Sequence, residues 1–279
     1  MLSYFTTFVY AIERGNGKRE RLEYYLSLVV SLAYAVLITG RMQFFLIIVV
    51  LTGIGSMRKG LSIKKLAAGA VVFLLCFGFF AISLGKGGDL QASWSENLSS
   101  IQESLVQYAI GPLPAFDRVV RTGASLEYGR NVFLDVLNLS RRLAGRPVIS
   151  PIQEEVAVPF PTNVYTAIQP IYLDFGILGV ALAFGLIGAA STYFYLGAIA
   201  GNRQFILYYS ISLVPLLCST FSDIYFAPML SWLKYVLAAY CYFGIESTND
   251  ARNWRREQHF DAPATGTRLS LSASGDISI

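Results

Sequence analysis

The side chains able to do chemistry are unevenly spread along the 279 residues. The only histidine, His259, sits in a polar C-terminal stretch, and Cys76, Cys218 and Cys241 each lie in an apolar run. There is no H-E-x-x-H or C-x-x-C spacing. The sequence therefore offers no zinc or haem ligand cluster, and no Ser-His or Cys-His nucleophile in its apolar part. Thiols in such runs act as small hydrophobes, and neither a metal nor a cofactor is expected. Arginine and carboxylate remain. Apart from Lys86 at its edge, the basic residues between 86 and 166 are all arginine: Arg118, Arg121, Arg130, Arg141, Arg142 and Arg146. A guanidinium presents a planar fork of donors that matches phosphate and carboxylate oxygens. Asp89, Glu96, Glu103, Asp117, Glu127, Asp135, Glu154 and Glu155 balance that charge, so discrete anion sites fit better than a general polyanion surface. The plainer reading of any one arginine is structural, as a partner of a loop acid or, for Arg141 and Arg142, as a residue suited to a helix C-terminus.

Two further candidates lie near the apolar runs. Arg41 follows Thr39-Gly40 at a turn, and Asp174 is the deepest acid. Ionisable groups at such depth mark function by default. The plain alternatives are snorkelling for Arg41 and a hydrogen bond to a neighbouring helix for Asp174. Asp223, in the last outer turn, is a lesser candidate. Lys234 is read as snorkelling towards the cytoplasm or pairing internally.

The elements that must position these groups follow from composition. Hydrophobic residues make up 54% of the chain and charged residues 14%, against about 25% charged in soluble domains. A soluble fold of this length has no way to bury so much apolar surface. An ordinary cytosolic enzyme, a DNA-binding domain and a disordered chain are excluded. Six runs reach or approach the length of a membrane span: Leu22 to Thr39, Met42 to Met57, Leu66 to Leu84, Ile168 to Ala198, Phe205 to Phe221 and Met229 to Ile245. They are continuous rather than alternating, which in lipid implies helix. The expected fold is all-α, a polytopic membrane bundle of about six spans with one long, partly helical external loop.

Arg14, Lys18, Arg19, Arg21, Arg58, Lys59, Lys64, Lys65, Arg203, Arg252, Arg255 and Arg256 fall on alternate connections, which orients those connections to the cytoplasm. This divides the chain into a membrane segment 1–85, a periplasmic loop 86–166, a second membrane segment 167–245 and a cytoplasmic, disordered tail 246–279. Met1 to Ile12 is apolar but too short to span. It reads as the remnant of a helix whose beginning is missing, or as an interfacial segment. Within the loop, Ser100 and Glu103 have the spacing of a capping box over Ile101, Leu105 and Tyr108. Asn131 to Ala144 reads as a second helix stopped by Gly145 and Pro147.

Thr162-Asn163-Val-Tyr165-Thr166, followed by Tyr172-Leu-Asp174-Phe-Gly176-Ile-Leu-Gly179, resembles the bacterial O-antigen polymerase (Wzy-type) or oligosaccharide repeat unit polymerase family. The Thr39-Gly40-Arg41 turn and Tyr108-Ala-Ile-Gly111-Pro-Leu-Pro114-Ala-Phe116 are similar too. The resemblance runs from about residue 22 to 245. Some members carry Arg-x10-Gly in external loops, a spacing shared by Arg118 and Gly129. Members are usually longer, so this chain looks like a C-terminal part or a short member.

The resemblance implies polymerisation of lipid-linked oligosaccharide repeats at the periplasmic face of the inner membrane. The growing chain on undecaprenyl pyrophosphate is the donor, and a sugar hydroxyl of the next repeat is the acceptor. Guanidinium groups would stabilise the leaving pyrophosphate, and a carboxylate would take the hydroxyl proton. The candidate catalytic residues are Asp174, Arg41 and Asp117. The candidate substrate-binding residues are Arg118, Arg121, Arg130, Arg141, Arg142, Asn163, Tyr165 and Tyr172. Tyr108 and Phe116 are further aromatics suited to sugar stacking or the lipid interface. Membrane lipid, a chain-length regulator and a flippase are the expected partners, and nucleic acid is not. The alternatives are a lipid-linked oligosaccharide ligase, a polysaccharide transporter or flippase, and a non-catalytic scaffold. The lack of an external histidine argues against the ligase, and the lack of a clear internal repeat argues against the transporter.

Overall fold

The computed structural model describes residues 1–279 except 14–16, 39–40, 61–62, 84–92, 124–125, 151–155, 158–160, 163–164, 221 and 261–279. The protein is all-α but for one short ladder. Its helices are α1 (Leu2–Glu13), α2 (Lys18–Leu37), α3 (Arg41–Lys59), α4 (Ile63–Ser83), α5 (Trp94–Ile110), α6 (Pro112–Thr122), α7 (Leu134–Leu143), α8 (Ile168–Ile199), α9 (Arg203–Cys218) and α10 (Met229–Phe260). Between α7 and α8, β1 (Val156–Ala157) pairs antiparallel with β2 (Pro161–Thr162). The chain divides into two compact units, Met1–Tyr240 and Cys241–Ile279.

Each of the six apolar runs forms a helix, in α2, α3, α4, α8, α9 and α10. Among the described residues, α8 is the helix long and apolar enough to cross a membrane, while Met42–Arg58, Leu66–Leu75 and Arg203–Cys218 are shorter apolar helices. In the first unit the core lies where α1, α3 and α9 meet, around Phe8, Val50, Ile54, Leu207 and Val214. Gly53 lets α3 and α9 approach closely, since a Cβ there would sit 2.9 Å from Ser210 Oγ.

Met1 to Ile12 forms α1, which belongs to the core. Phe8 and Thr7 are fully buried, Thr7 Oγ1 lies 2.8 Å from Ser31 Oγ on α2, and Arg58 donates to the Ala11 carbonyl at 2.8 Å. A hydroxyl pair of this kind satisfies both polar groups without leaving the apolar interior.

The outer loop also differs in detail. The capping box forms at Ser93 and Glu96, not at Ser100 and Glu103, which lie inside α5. Ser93 Oγ accepts from Glu96 N at 3.3 Å, and Glu96 returns the bond to Ser93 N at 2.8 Å. The Ser93 N–H and hydroxyl, both donating to Glu96 Oε2, hold that carboxyl below the usual carboxylate range. Helix α6 is an element not expected from the sequence. It starts on Pro112, whose missing N–H costs nothing there, and ends on Gly123 in the left-handed region. Helix α7 starts at Leu134 rather than Asn131, since residues 128–133 form turns. It stops, as expected, at Gly145 (φ 66°). In the second unit, the backbone of α10 stays helical to Phe260, where a disordered tail from 246 was expected.

Candidate functional site

The site begins with a break in α8. Gly176 has φ 65° and ψ −163° inside that helix, a combination open essentially to glycine alone. Two residues before it, Asp174 is fully buried. Its Oδ1 accepts from Asn131 N at 3.1 Å and Asn131 Nδ2 at 2.9 Å, and its Oδ2 accepts from Asn131 N at 3.0 Å and Val132 N at 2.7 Å. Beside it, the Leu173 carbonyl accepts from Glu127 N at 3.0 Å. The receiving turn is tight, with Tyr128 at φ 48° and Gly129 at φ 95°. This turn presents the N–H groups of Asn131 and Val132 to one carboxylate. Asp174 is thus an anchor that holds the outer loop on the kinked helix.

Two more carboxylates serve backbone in the same layer. Asp135, in the first turn of α7, accepts from Leu230 N at the start of α10 at 3.0 Å. That meets one of the N–H groups a helix start leaves open. Asp223 accepts from Phe226 N at 3.0 Å. Asn138 exchanges two hydrogen bonds with Ile149, which folds the chain back after α7.

Together these contacts enclose a cavity of about 820 Å³ between the loop, the start of α8 and the start of α10. The volume is that of a small-molecule or cofactor pocket. Its cations are Arg130, Arg142 and Lys234, and its acids are Glu127, Asp135 and Asp223. Arg130 pairs with Glu127 at 3.6 Å. Among the described residues neither Arg142 nor Lys234 has a hydrogen-bond or ion-pair partner. Gln169 also lines the cavity; it is 4% exposed, and its Oε1 has no hydrogen-bond partner. Burial pushes the Asp223 carboxyl up to about 6, against the opposing pull of the Phe226, Ala227 and Tyr225 N–H groups. The arrangement is suited to an anion beside Arg142 and Lys234, with polar neighbours for hydroxyl groups.

Of the candidate residues singled out from the sequence, the cavity gathers Arg130, Arg142, Tyr165 and the lesser candidate Asp223. Asp174 positions its wall through Asn131. The others lie elsewhere. Asp117 and Arg121 pair with each other at 2.8 Å on the exposed face of α6. Arg118 donates to the Ala157 carbonyl at 3.2 Å, and Arg141 to that of Pro147 at 2.7 Å. Tyr172 packs edge-on against Phe116, with ring centroids 5.4 Å apart. Asn163 and the side chains of Arg41, Cys76 and Tyr108 lie outside the described residues. Lys234 corrects the sequence reading. It lies near the start of α10 and lines the cavity, with no internal acid partner among the described residues.

Sequence reasoning did not single out Gln169, Asn131 or Asn138. The signal for Gln169 was a lone amide at the head of the longest apolar run. Compared with known families, curated proteins and solved structures, the chain matches no family model, no curated protein and no solved structure.

Proposed function

We propose that the chain is a polytopic inner-membrane glycosyltransferase. It polymerises undecaprenyl-pyrophosphate-linked oligosaccharide repeats into O-antigen or exopolysaccharide at the periplasmic face. The observation that carries this reading is the cavity of about 820 Å³, lined by the exposed cations Arg142 and Lys234, which have no acidic partner among the described residues. That suits a leaving group on which negative charge grows.

The membrane part of the reading rests on where apolar side chains point. Leu178, Leu182 and Leu186 on α8 are 70–75% exposed, and Leu74 and Leu75 on α4 and Val29 and Val30 on α2 are also exposed. In water, apolar faces of this extent would aggregate; in lipid they are solvated. The Lys and Arg bias of the short connections supports an outer-side cavity, where a lipid-linked donor would present its pyrophosphate near the helix ends. The chain-length regulator and flippase belong to the same proposal.

The test is deletion of the gene in its host, followed by gel analysis of the surface glycan. The reading expects loss of the long-chain ladder, retention of single-repeat material, and restoration by the full chain in trans. An unchanged ladder would overturn it. Loss of single-repeat material as well would favour a ligase or transporter.

A further inference from the structure

Two more polar groups, Gln169 and Asp223, line the cavity beside its cations. Gln169 is 4% exposed, and its side chain forms no hydrogen bond among the described residues. A buried carboxamide is ordinarily bonded, so an unmet one in a cavity wall points to a ligand group. Asp223 lines the same cavity and is only half-buried, unlike Asp174. Asp223 accepts from Phe226 N at 3.0 Å; the other acids nearby are engaged as well, Asp135 with Leu230 N, Glu127 with Arg130, and the fully buried Asp174 with Asn131 and Val132.

We propose that Gln169 and Asp223 form the acceptor subsite of this cavity, where the Gln169 amide orients a sugar hydroxyl and the Asp223 carboxylate takes its proton. This rests on the polymerase reading above. The hydroxyl proton passes to Asp223. The hydroxyl oxygen forms the new bond to the anomeric carbon of the donor. The bond from that carbon to the pyrophosphate breaks, and its electron pair leaves with undecaprenyl pyrophosphate. Asp223 then gives the proton to water. A base whose carboxyl titrates near 6 is mostly ionised at neutral pH and still basic enough to accept a proton. Gln169 needs no titration, since its amide both donates and accepts.

The experiment complements the deletion strain with Asp223→Asn, Gln169→Leu and Arg142→Ala, scoring protein level and glycan ladder together. Asp223→Asn keeps an oxygen for the Phe226 N–H, so the turn is retained while the base is lost. The expected result is normal protein and at least about 100-fold less polymer. Gln169→Leu removes an amide that is unmet among the described residues, which a purely structural role would tolerate. About 10-fold less polymer is expected. Membranes assayed from pH 5 to 7 supply a second readout. Glu127, Asp135, Arg130, Arg142, Lys234 and Tyr165 share the cavity and Tyr225 flanks Asp223, so the wild-type rise is to be compared with that of Asp223→Asn. The wild-type rate should climb through this range and the residual Asp223→Asn rate should stay level. Full ladders from Asp223→Asn or Gln169→Leu, or a level wild-type profile, would overturn the subsite. If Arg142→Ala still loses the ladder, the polymerase reading survives that outcome. Full ladders from all three variants would overturn both.

Discussion

Asp174 and Asn131, 43 residues apart, are joined through both the backbone N–H and the side-chain amide of the asparagine, at 2.9–3.1 Å. This pair fixes where the turn at 128–133 meets α8, and so where the cavity wall stands. A carboxylate engaged in this way acts by position, and Asp223 is the acid proposed above to take the proton.

Asp174→Ala should therefore act first on stability. It leaves the N–H groups of Asn131 and Val132 unmet in a buried setting, at about 1–3 kcal/mol each. The detergent-solubilised variant should melt at lower temperature, and amide exchange at residues 127–133 should quicken. A melting temperature equal to wild type would contradict the anchor.

Gly176→Ala tests the kink independently of any polar group. The space around it is open, with the nearest side-chain atom, Leu126 Cδ2, 3.8 Å from the added methyl. The penalty is the backbone angle, of order 1–3 kcal/mol. Reduced thermal stability without any change of charge is the expected outcome.

How far the sequence led depends on the kind of signal. The six apolar runs were legible because long continuous hydrophobicity favours helix, and each run became a helix. Gly145 and the last-turn arginines of α7 marked its end for local reasons. The capping box was misplaced because Ser93-x-x-Glu96 and Ser100-x-x-Glu103 carry the same spacing, and only the first stands at the helix start. The site was less legible. Arg118, Arg121 and Arg141 have the same side chain as Arg142, and only tertiary structure separates those with partners from the one facing the cavity. The Asp174–Asn131 pair and the role of Lys234 join segments far apart in the chain, which no local pattern encodes.

Asp223 gives stability a pH dependence of defined sign. Its carboxyl titrates at about 6 in the folded protein against 3.8 ordinarily, so the folded state holds the proton over that interval and the unfolded state does not. Its contribution to stability is greatest below about 3.8, falls as pH rises towards 6, and is level beyond. Denaturation of wild type and Asp223→Asn across this range should show a difference that grows with pH in favour of the variant. A constant difference would contradict the burial of this group.

Membrane sidedness has its own check. Leu143, at the end of α7, is 82% exposed. Leu143→Cys should label with an impermeant maleimide added outside intact spheroplasts, above the background of the native cysteines. Labelling only after lysis would put the loop in the cytoplasm, away from the proposed lipid-linked donor.

The central claim is that two unpartnered cations of the cavity hold the anionic donor. Its most direct test is the surface glycan of the deletion strain complemented with the double variant Arg142→Ala, Lys234→Ala, beside Arg146→Ala, an exposed arginine off the cavity. The account predicts that the double variant reaches the membrane at wild-type level and makes no long-chain ladder, while Arg146→Ala makes a normal one. A normal ladder from the double variant would contradict it.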